Sequence, residues 1–325
     1  MVILGGGLSG ATAAIAARLQ GSPVTLVEKS VFPRHKVCGE FLSPEVLPLL
    51  AQMGLEAKFA AENPAPMRRV VLNFGGREKR FPLPETAYGL SRYKLDAMLF
   101  QRAQELGVVT TRETEASPTI VATGRGALPG GSGEKGQRLF GFKAHFRGTV
   151  NDAVELYFIP GGYVGVNPVE GGITNVCGLC SESALRKLDF NVDNLISENP
   201  ALRNRLQPME RLWDWLFVGP LVFTNRFKTK PNAFYTGDAV SFVDPFTGSG
   251  MLAALHSGWL AGSMAAQGAS PEAYHLAVRE ALGRPFAVSS LLRSIIWTPW
   301  AVKLAPLAPG RVLFWLTRPR KVARK

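Results

Sequence analysis

Three glycines, Gly5, Gly7 and Gly10 in "GGGLSG", stand at G-x-G-x-x-G spacing between the apolar triplet Val2-Ile3-Leu4 and the small-residue run 10–20. That spacing suits a dinucleotide: Gly5 permits a tight turn, Gly7 lets a pyrophosphate approach the backbone, and Gly10 lets helix and strand pack closely. The helix that follows turns free N–H groups and a positive dipole end toward phosphates. Glu28 closes a second apolar stretch, "PVTLVE", about 20 residues on, where an acid holds a ribose 2′-hydroxyl. An acid there disfavours a 2′-phosphate, which argues against NADP in this site.

A late segment, "YTGDAVSFVDPFTGSGMLAAL" (235–255), carries the second set of candidates: Asp238 after an apolar lead-in, then Pro245, Gly248 and Gly250 around a helix start. A flavin dinucleotide is longer than NAD and extends past the carboxyl edge of the sheet. Asp238 is placed to hydrogen-bond its ribityl or pyrophosphate part. A helix beginning near Gly248 would turn its positive end toward the flavin, and Gly248 and Gly250 leave room for the ring. These residues point to FAD.

Between the two lies "FPRHKVCGE" (32–40). Cys38 stands close to Arg34, His35 and Lys36, and neighbouring positive charge favours a thiolate. A thiol there is either a proton donor beside a reduced flavin or a small cysteine packed on the cofactor.

The elements that must hold these residues are legible in outline. Short apolar strands flank the glycine helix, a βαβ opening. Residues 69–81, "RVVLNFGGREKRF", predict two strands about a Gly-Gly turn. Residues 92–106 predict a helix with Leu95, Met98, Leu99 and Leu106 on one side, 119–123 a buried strand, and 125–137 a glycine-rich loop. Several strands follow over 138–181, another near 217–223, and helices over most of 249–316, broken at Pro271, Pro285, Pro299, Pro306 and Pro309. The expected architecture is α/β: a Rossmann-type FAD-binding domain (1–65, 84–130 and 230–283), an inserted β-sheet substrate domain (66–83 and 131–229) and a C-terminal basic helical segment (284–325).

The chain resembles the FAD-dependent oxidoreductase superfamily of geranylgeranyl reductases, p-hydroxybenzoate hydroxylase-type monooxygenases and flavin-dependent halogenases. The matching pieces are "GGGLSG" with Glu28, "FPRHKVCGE", "GLSRYKLDAML" and "TGDAVSFVDPFTGSG", in the family's order over residues 1 to about 265. The resemblance implies a sheet lobe over the flavin, Arg92 near the FAD phosphates and Asp238 on the cofactor. Lys29 and Arg34 complete the cofactor-binding candidates. "FPRHKVCGE" is most similar to the P-R-x-K-x-C-G-G segment of geranylgeranyl reductases, which implies a catalytic role for Cys38. Glu40 stands where that motif has its second glycine. Thr123-Gly124 replaces the Asp-Gly pair usual in hydroxylases. Glu155 and Tyr157 in "ELYFIP" replace the tryptophans of the halogenase W-x-W-x-I-P, which argues against halogenation. The 107–118 segment is short for the family.

Weaker signals are Cys177 and Cys180, which an extended strand sends to opposite faces; His145, a pocket or a structural histidine; and Trp213 and Trp215, core or pocket. Tyr157, Phe158 and Tyr163 are candidates to wall an apolar cavity.

With 325 residues, 46% hydrophobic, the chain can bury a large core. No apolar run reaches the roughly 18–20 residues of a membrane span, and three cysteines suit a reducing cytoplasm. The net charge is +12, and nine Lys/Arg with no acid fall between Arg284 and Lys325, beside Trp297, Trp300, Phe314 and Trp315. That stretch reads as either a helical layer with a solvated basic tail or a peripheral membrane contact. No nucleic-acid-binding module accompanies the charge. The expected activity is FAD-dependent reduction of a carbon–carbon double bond in an apolar isoprenoid or polyketide-like substrate. Hydroxylation of an aromatic or polyketide is the alternative, and a non-catalytic flavin carrier the reading from a different class. The electron donor is NAD(P)H docking transiently or a partner reductase.

Overall fold

The computed structural model describes residues 1–75, 77–125, 138–221, 227, 231–242 and 247–296. The chain opens with β1 (Val2–Leu4), α1 (Leu8–Leu19) and β2 (Thr25–Val27). Then come β3 (Phe41–Leu42), α2 (Val46–Gln52), α3 (Glu56–Ala61) and the hairpin β4 (Ala65–Asn73) and β5 (Glu78–Gly89). Helix α4 (Arg92–Glu105) leads to β6 (Val109–Thr111) and β7 (Ile120–Val121). The middle of the chain is β8 (Leu139–Arg147), β9 (Ala153–Ile159), β10 (Gly162–Val169) and β11 (Ile173–Ser181). Helices α5 (Glu182–Arg186), α6 (Val192–Ser197) and α7 (Pro200–Leu206) follow. After them come β12 (Glu210–Arg211), β13 (Leu216–Leu221), β14 (Phe234–Tyr235), α8 (Gly250–Ala266) and α9 (Pro271–Ile296).

These strands make two sheets. The first is parallel, in the order β14-β7-β1-β2-β6. Successive strands are added on one side of β1 and then on the other, so the order reverses between β1 and β7. In such sheets ligands bind beyond the strand carboxyl ends at that reversal. The second sheet runs β12-β8-β11-β10-β9-β4-β5-β3, with β13 also pairing β8. It is antiparallel except at the β4–β9 seam, where Arg69 lies opposite Ala153.

Helix α8 lies directly on α1, and glycine makes that contact possible. A β-carbon on Gly258 would fall 2.3 Å from the Ser9 carbonyl oxygen, and one on Gly262 2.1 Å from that of Ala13. Ile3, Ile15, Leu26, Ile120 and Tyr274 are sealed in this layer. In the second sheet Phe142, Val164 and Val176 face α5–α7 through Leu185, Leu195 and Leu202. Strand alternation therefore sends Lys143 and His145 of β8 to the opposite face, toward the first layer.

Three sequence boundaries shift. Strand β5 stays in the second sheet to Gly89, paired with β4 and β3, rather than leaving it at 83. The bound at 283/284 cuts through α9, which does not break at Pro285. Tyr274, Val278, Leu282 and Phe286, at every fourth position, bury one continuous stripe of that helix and carry it past the missing N–H. The expected strand near 217–223 is β13, its described part ending at Leu221. The loop residues 126–137 and the tail from Trp297 onward lie outside the described residues. Among those described, no helix is long and apolar enough to cross a membrane.

Candidate active site

The glycine turn is built as its spacing requires. Gly5 takes φ +100°, and a β-carbon there would lie 2.4 Å from the Ala122 carbonyl oxygen, against the end of β7. A β-carbon on Gly10 would lie 1.7 Å from the Gly5 carbonyl oxygen. Any side chain at either position would push α1 off the strand ends. Glu28 secures the turn from the side: its carboxylate accepts from the Gly6 N–H at 2.7 Å and from the Ser30 N–H at 2.7 Å. Burial alone would raise this carboxyl, but the two backbone N–H groups outweigh it and hold Glu28 below its ordinary value. The Ser30 hydroxyl also bonds this carboxylate, so of its about four acceptor positions one remains for a ribose hydroxyl.

Basic side chains surround the open side of the turn. Lys36 Nζ lies 3.3 Å from where a Gly7 β-carbon would stand. Lys36 and Arg92 share Asp96, which has no exposed side-chain surface: Lys36 Nζ donates to Oδ2 at 2.6 Å, and Arg92 donates to Oδ1 at 2.6 Å and Oδ2 at 2.9 Å. Burial would raise the Asp96 carboxyl, but Arg92 and then Lys36 lower it further, so it stays ionised. Arg34 Nε is buried without a hydrogen-bond partner, as is Thr123 Oγ1 beyond β7. A backbone cradle, two cations on one anion and an orphaned guanidinium nitrogen are the donor set a diphosphate requires. The residues present fit FAD.

The loop 36–40 passes between the two sheets and carries Cys38. Glu40, the departure from the glycine motif, adopts φ +52°, the left-handed conformation for which glycine is favoured. The backbone of the motif is thus kept while its side chain is put to another use. The Glu40 carboxylate is fully buried and has three donors. Arg92 N–H gives to Oε1 at 2.6 Å, Lys143 Nζ to the same oxygen, and His145 Nε2 to Oε2 at 2.7 Å. Burial would raise this carboxyl; the His145 hydrogen bond and the Lys143 charge hold it below the ordinary range. Lys143, itself fully buried, also donates to the Lys36 carbonyl at 3.2 Å. Asn175 on β11, opposite His145, donates to the carbonyls of Cys38 at 3.2 Å and Gly39 at 3.0 Å. At the sulfur, the Glu40 N–H approaches Cys38 Sγ at 3.4 Å, and the Arg92 guanidinium faces it. Cys177 lies behind the loop, opposite Lys143, its thiol pushed up by burial.

An aromatic stack closes the outer side. His35 lies between Tyr93 (ring centroids 4.8 Å) and Trp213 (5.0 Å) and meets His145 edge-on at 5.1 Å. Burial, then Lys143 and His145, lower the basicity of His35.

The late segment reaches the same place. A β-carbon on Gly237 would fall 2.6 Å from Ser9 Oγ, so the Gly-Asp turn rests on the start of α1. Ser257 of α8 accepts from the Gly237 N–H at 3.0 Å and fixes that turn to the helix. Burial raises the Asp238 carboxyl against the opposing charges of Arg92, Arg125 and Lys36. Gly248, at φ +63°, packs on Phe41 of β3, where a β-carbon would lie 2.9 Å from the ring, and Gly250 begins α8 with open space before it.

Lys29 is exposed beside Glu28, and Pro245 lies outside the described residues. Cys180 points to the other face of β11 into the second core, where burial pushes its thiol up to about 11. Trp215 joins Phe142 and Phe146 in that core, whereas Trp213 belongs to the aromatic stack. Tyr157 is tied to buried Glu155, which also binds Arg205 at 3.0 Å. Asp96, Lys143 and Asn175 escaped the sequence, and Lys36 stood out there only as a charge beside Cys38. The available signals were an Arg–Asp pair at i, i+4 and a lysine inside the apolar strand "LFGFKAHFR", two residues from His145.

Residues 1–126 match the FAD binding domain family. Among curated relatives, a tryptophan 2-halogenase of Chondromyces crocatus is 24% identical over 80% of this chain, which spans 60% of that protein's length. A menaquinone reductase of Mycobacterium tuberculosis is 24% identical, over 92% of this chain and 84% of that one. The fold is shared with a flavin-dependent brominase (TM-score 0.77, 18% identity, 97% of this chain and 92% of that one). It is shared also with a geranylgeranyl bacteriochlorophyll reductase-like protein of Thermoplasma acidophilum (TM-score 0.69, 19% identity, 97% and 89%).

Proposed function

We propose, on the premise that this chain belongs to the FAD-dependent oxidoreductase superfamily, that it reduces a carbon–carbon double bond in an apolar isoprenoid or polyketide-like substrate. FAD, when bound, supplies the two-electron redox chemistry. Gly5, Gly7, Gly10, Glu28, Arg34, Lys36, Arg92 and Asp238 are the residues to hold it. Cys38, or a water beside it, delivers the proton that completes the saturated product.

The observation that carries this reading is the setting of Cys38. Its sulfur meets a backbone N–H and a guanidinium on a loop fixed by the second sheet and the start of α4. Both are donors directed at the sulfur that carries the proton. The match to a menaquinone reductase over most of both chains supports a reductive role. Electrons enter from NAD(P)H docking transiently or from a partner reductase.

Hydroxylation is the second reading, supported by a stretch 29% identical to an FAD-dependent monooxygenase of Beauveria bassiana over 40% of this chain. Anaerobic turnover separates the two. The reduced protein is mixed with isoprenoid alkenes without dioxygen, following flavin absorbance and the gain of two hydrogens by mass spectrometry. Reduction proceeds without dioxygen, and Cys38→Ser slows it about a hundredfold. Turnover that requires dioxygen and adds oxygen replaces this reading with hydroxylation, and unchanged turnover in Cys38→Ser removes the thiol from the mechanism.

A further inference from the structure

We propose that Glu40 is a positioning residue for Cys38: clamped by Lys143 and His145 in a left-handed turn, it holds its own N–H and the Arg92 backbone in register with the Cys38 sulfur. The catalytic meaning of this clamp rests on the role given to Cys38 above; the clamp itself does not.

A non-glycine residue in the left-handed region persists only where its surroundings over-determine it. At Glu40 they do. Its carboxylate joins three donors from two separate elements, Lys143 and His145 on β8 and the Arg92 N–H at the start of α4. The neighbouring peptides are pinned by the same sheet, Lys36 through Lys143 and Cys38 and Gly39 through Asn175. The geometry at the sulfur follows from these anchors. The N–H that meets Sγ at 3.4 Å is that of Glu40, and its direction is set by the turn the carboxylate holds. The guanidinium facing the sulfur springs from the residue whose backbone Glu40 grips, with Asp96 fixing its far end.

The sign of an effect separates positioning from plain charge. A carboxylate near a thiol opposes the thiolate through space. Glu40→Gln keeps one acceptor oxygen but turns an NH2 donor toward the donors that clamp the carboxylate; it therefore speeds attack by Cys38 if Glu40 acts only by charge, and slows it if Glu40 acts by holding the turn.

The experiment uses the purified FAD-loaded protein, limiting iodoacetamide at pH 7, and mass-spectrometric quantification of the Cys38 peptide, with the Cys180 peptide as internal reference. We expect Cys38 alkylation to fall about tenfold in Glu40→Gln. The double variant Glu40→Gln/Lys143→Met removes one charge of each sign, leaves net charge unchanged and serves if the single variant does not fold; the same fall is expected there. His145→Gln keeps an N–H donor and retains the wild-type rate within about twofold, while His145→Ala loses most of it. Alkylation that is unchanged or faster in Glu40→Gln and in the double variant overturns the proposal. Unchanged turnover in Cys38→Ser, with the alkylation contrast intact, overturns only the proton role of Cys38 and leaves the clamp standing.

Discussion

Severing the buried pair between Glu40 and Lys143 is expected to cost far more than deleting it. Both side chains have no exposed surface. In Glu40→Gln the Lys143 ammonium loses its counter-charge and keeps only neutral acceptors, the Lys36 carbonyl at 3.2 Å and the amide oxygen of the new side chain. Leaving a buried charge uncompensated costs roughly 3–5 kcal/mol; the retained neutral hydrogen bonds place this variant at about 3. Lys143→Met leaves the carboxylate two donors, the Arg92 N–H and His145, so its cost is about 1.5 kcal/mol. With both changed, no unpaired charge remains and the loss is at most about 1 kcal/mol, giving a coupling of at least about 3.5 kcal/mol. Thermal melts of the four proteins measure this, with Tm of Glu40→Gln lowered by roughly 4–5 °C. Single-variant losses that simply add, or a Tm for Glu40→Gln within about 2 °C of wild type, would refute the reasoning.

Gly10→Ala places a methyl group 1.7 Å from the Gly5 carbonyl oxygen, and the purified variant should retain less than about a tenth of the wild-type flavin by absorbance. A yellow, stoichiometrically loaded Gly10→Ala would count against the cradle. Gly258→Val drives a side chain into the Ser9 carbonyl at the α1–α8 contact, and overpacking should cost about 2 kcal/mol or more in denaturant titration without changing the sheet's circular dichroism. Glu28, Glu40 and Asp96 all sit below the ordinary carboxylate range in the folded chain, so their stabilisation is complete above the unfolded values near 4 and is lost as pH falls through the folded ones. Tm should hold from about pH 7 to 5 and then drop steeply, and Asp96→Asn should flatten that drop; a wild-type Tm unchanged at about pH 3 would contradict it.

The dinucleotide half was readable because each of its demands is local. Gly5 needs a positive φ, Gly10 needs the absence of a β-carbon, and Glu28 must end a strand, and all three show in sequence spacing. Asp238 was readable for the same reason, as a carboxylate set between a strand and a glycine-rich helix start. The surroundings of Cys38 were not, because the partners there come from elements far apart in the chain. Asp96 reads as an ordinary helix residue until Lys36, sixty positions earlier, is seen beside it. Glu40 looks like an error in a glycine motif until Lys143 and His145 arrive over a hundred residues later. Pro285 misled for the converse reason: a local helix-breaking rule was overridden by the buried stripe from Tyr274 to Phe286.

The parallel seam between β4 and β9 has a consequence for how the molecule is made. Its two strands leave the ribosome more than eighty residues apart, with α4, β6 and β7 emerging between them. The nascent hairpin 65–89 therefore waits with one bare edge, the kind of surface that aggregates or recruits chaperones. The anion at position 40 waits too, since its lysine is synthesised only afterwards. Protease digestion of stalled nascent chains should find the hairpin open until Ala153–Ile159 has cleared the tunnel, and protection before that point would contradict so late a closure.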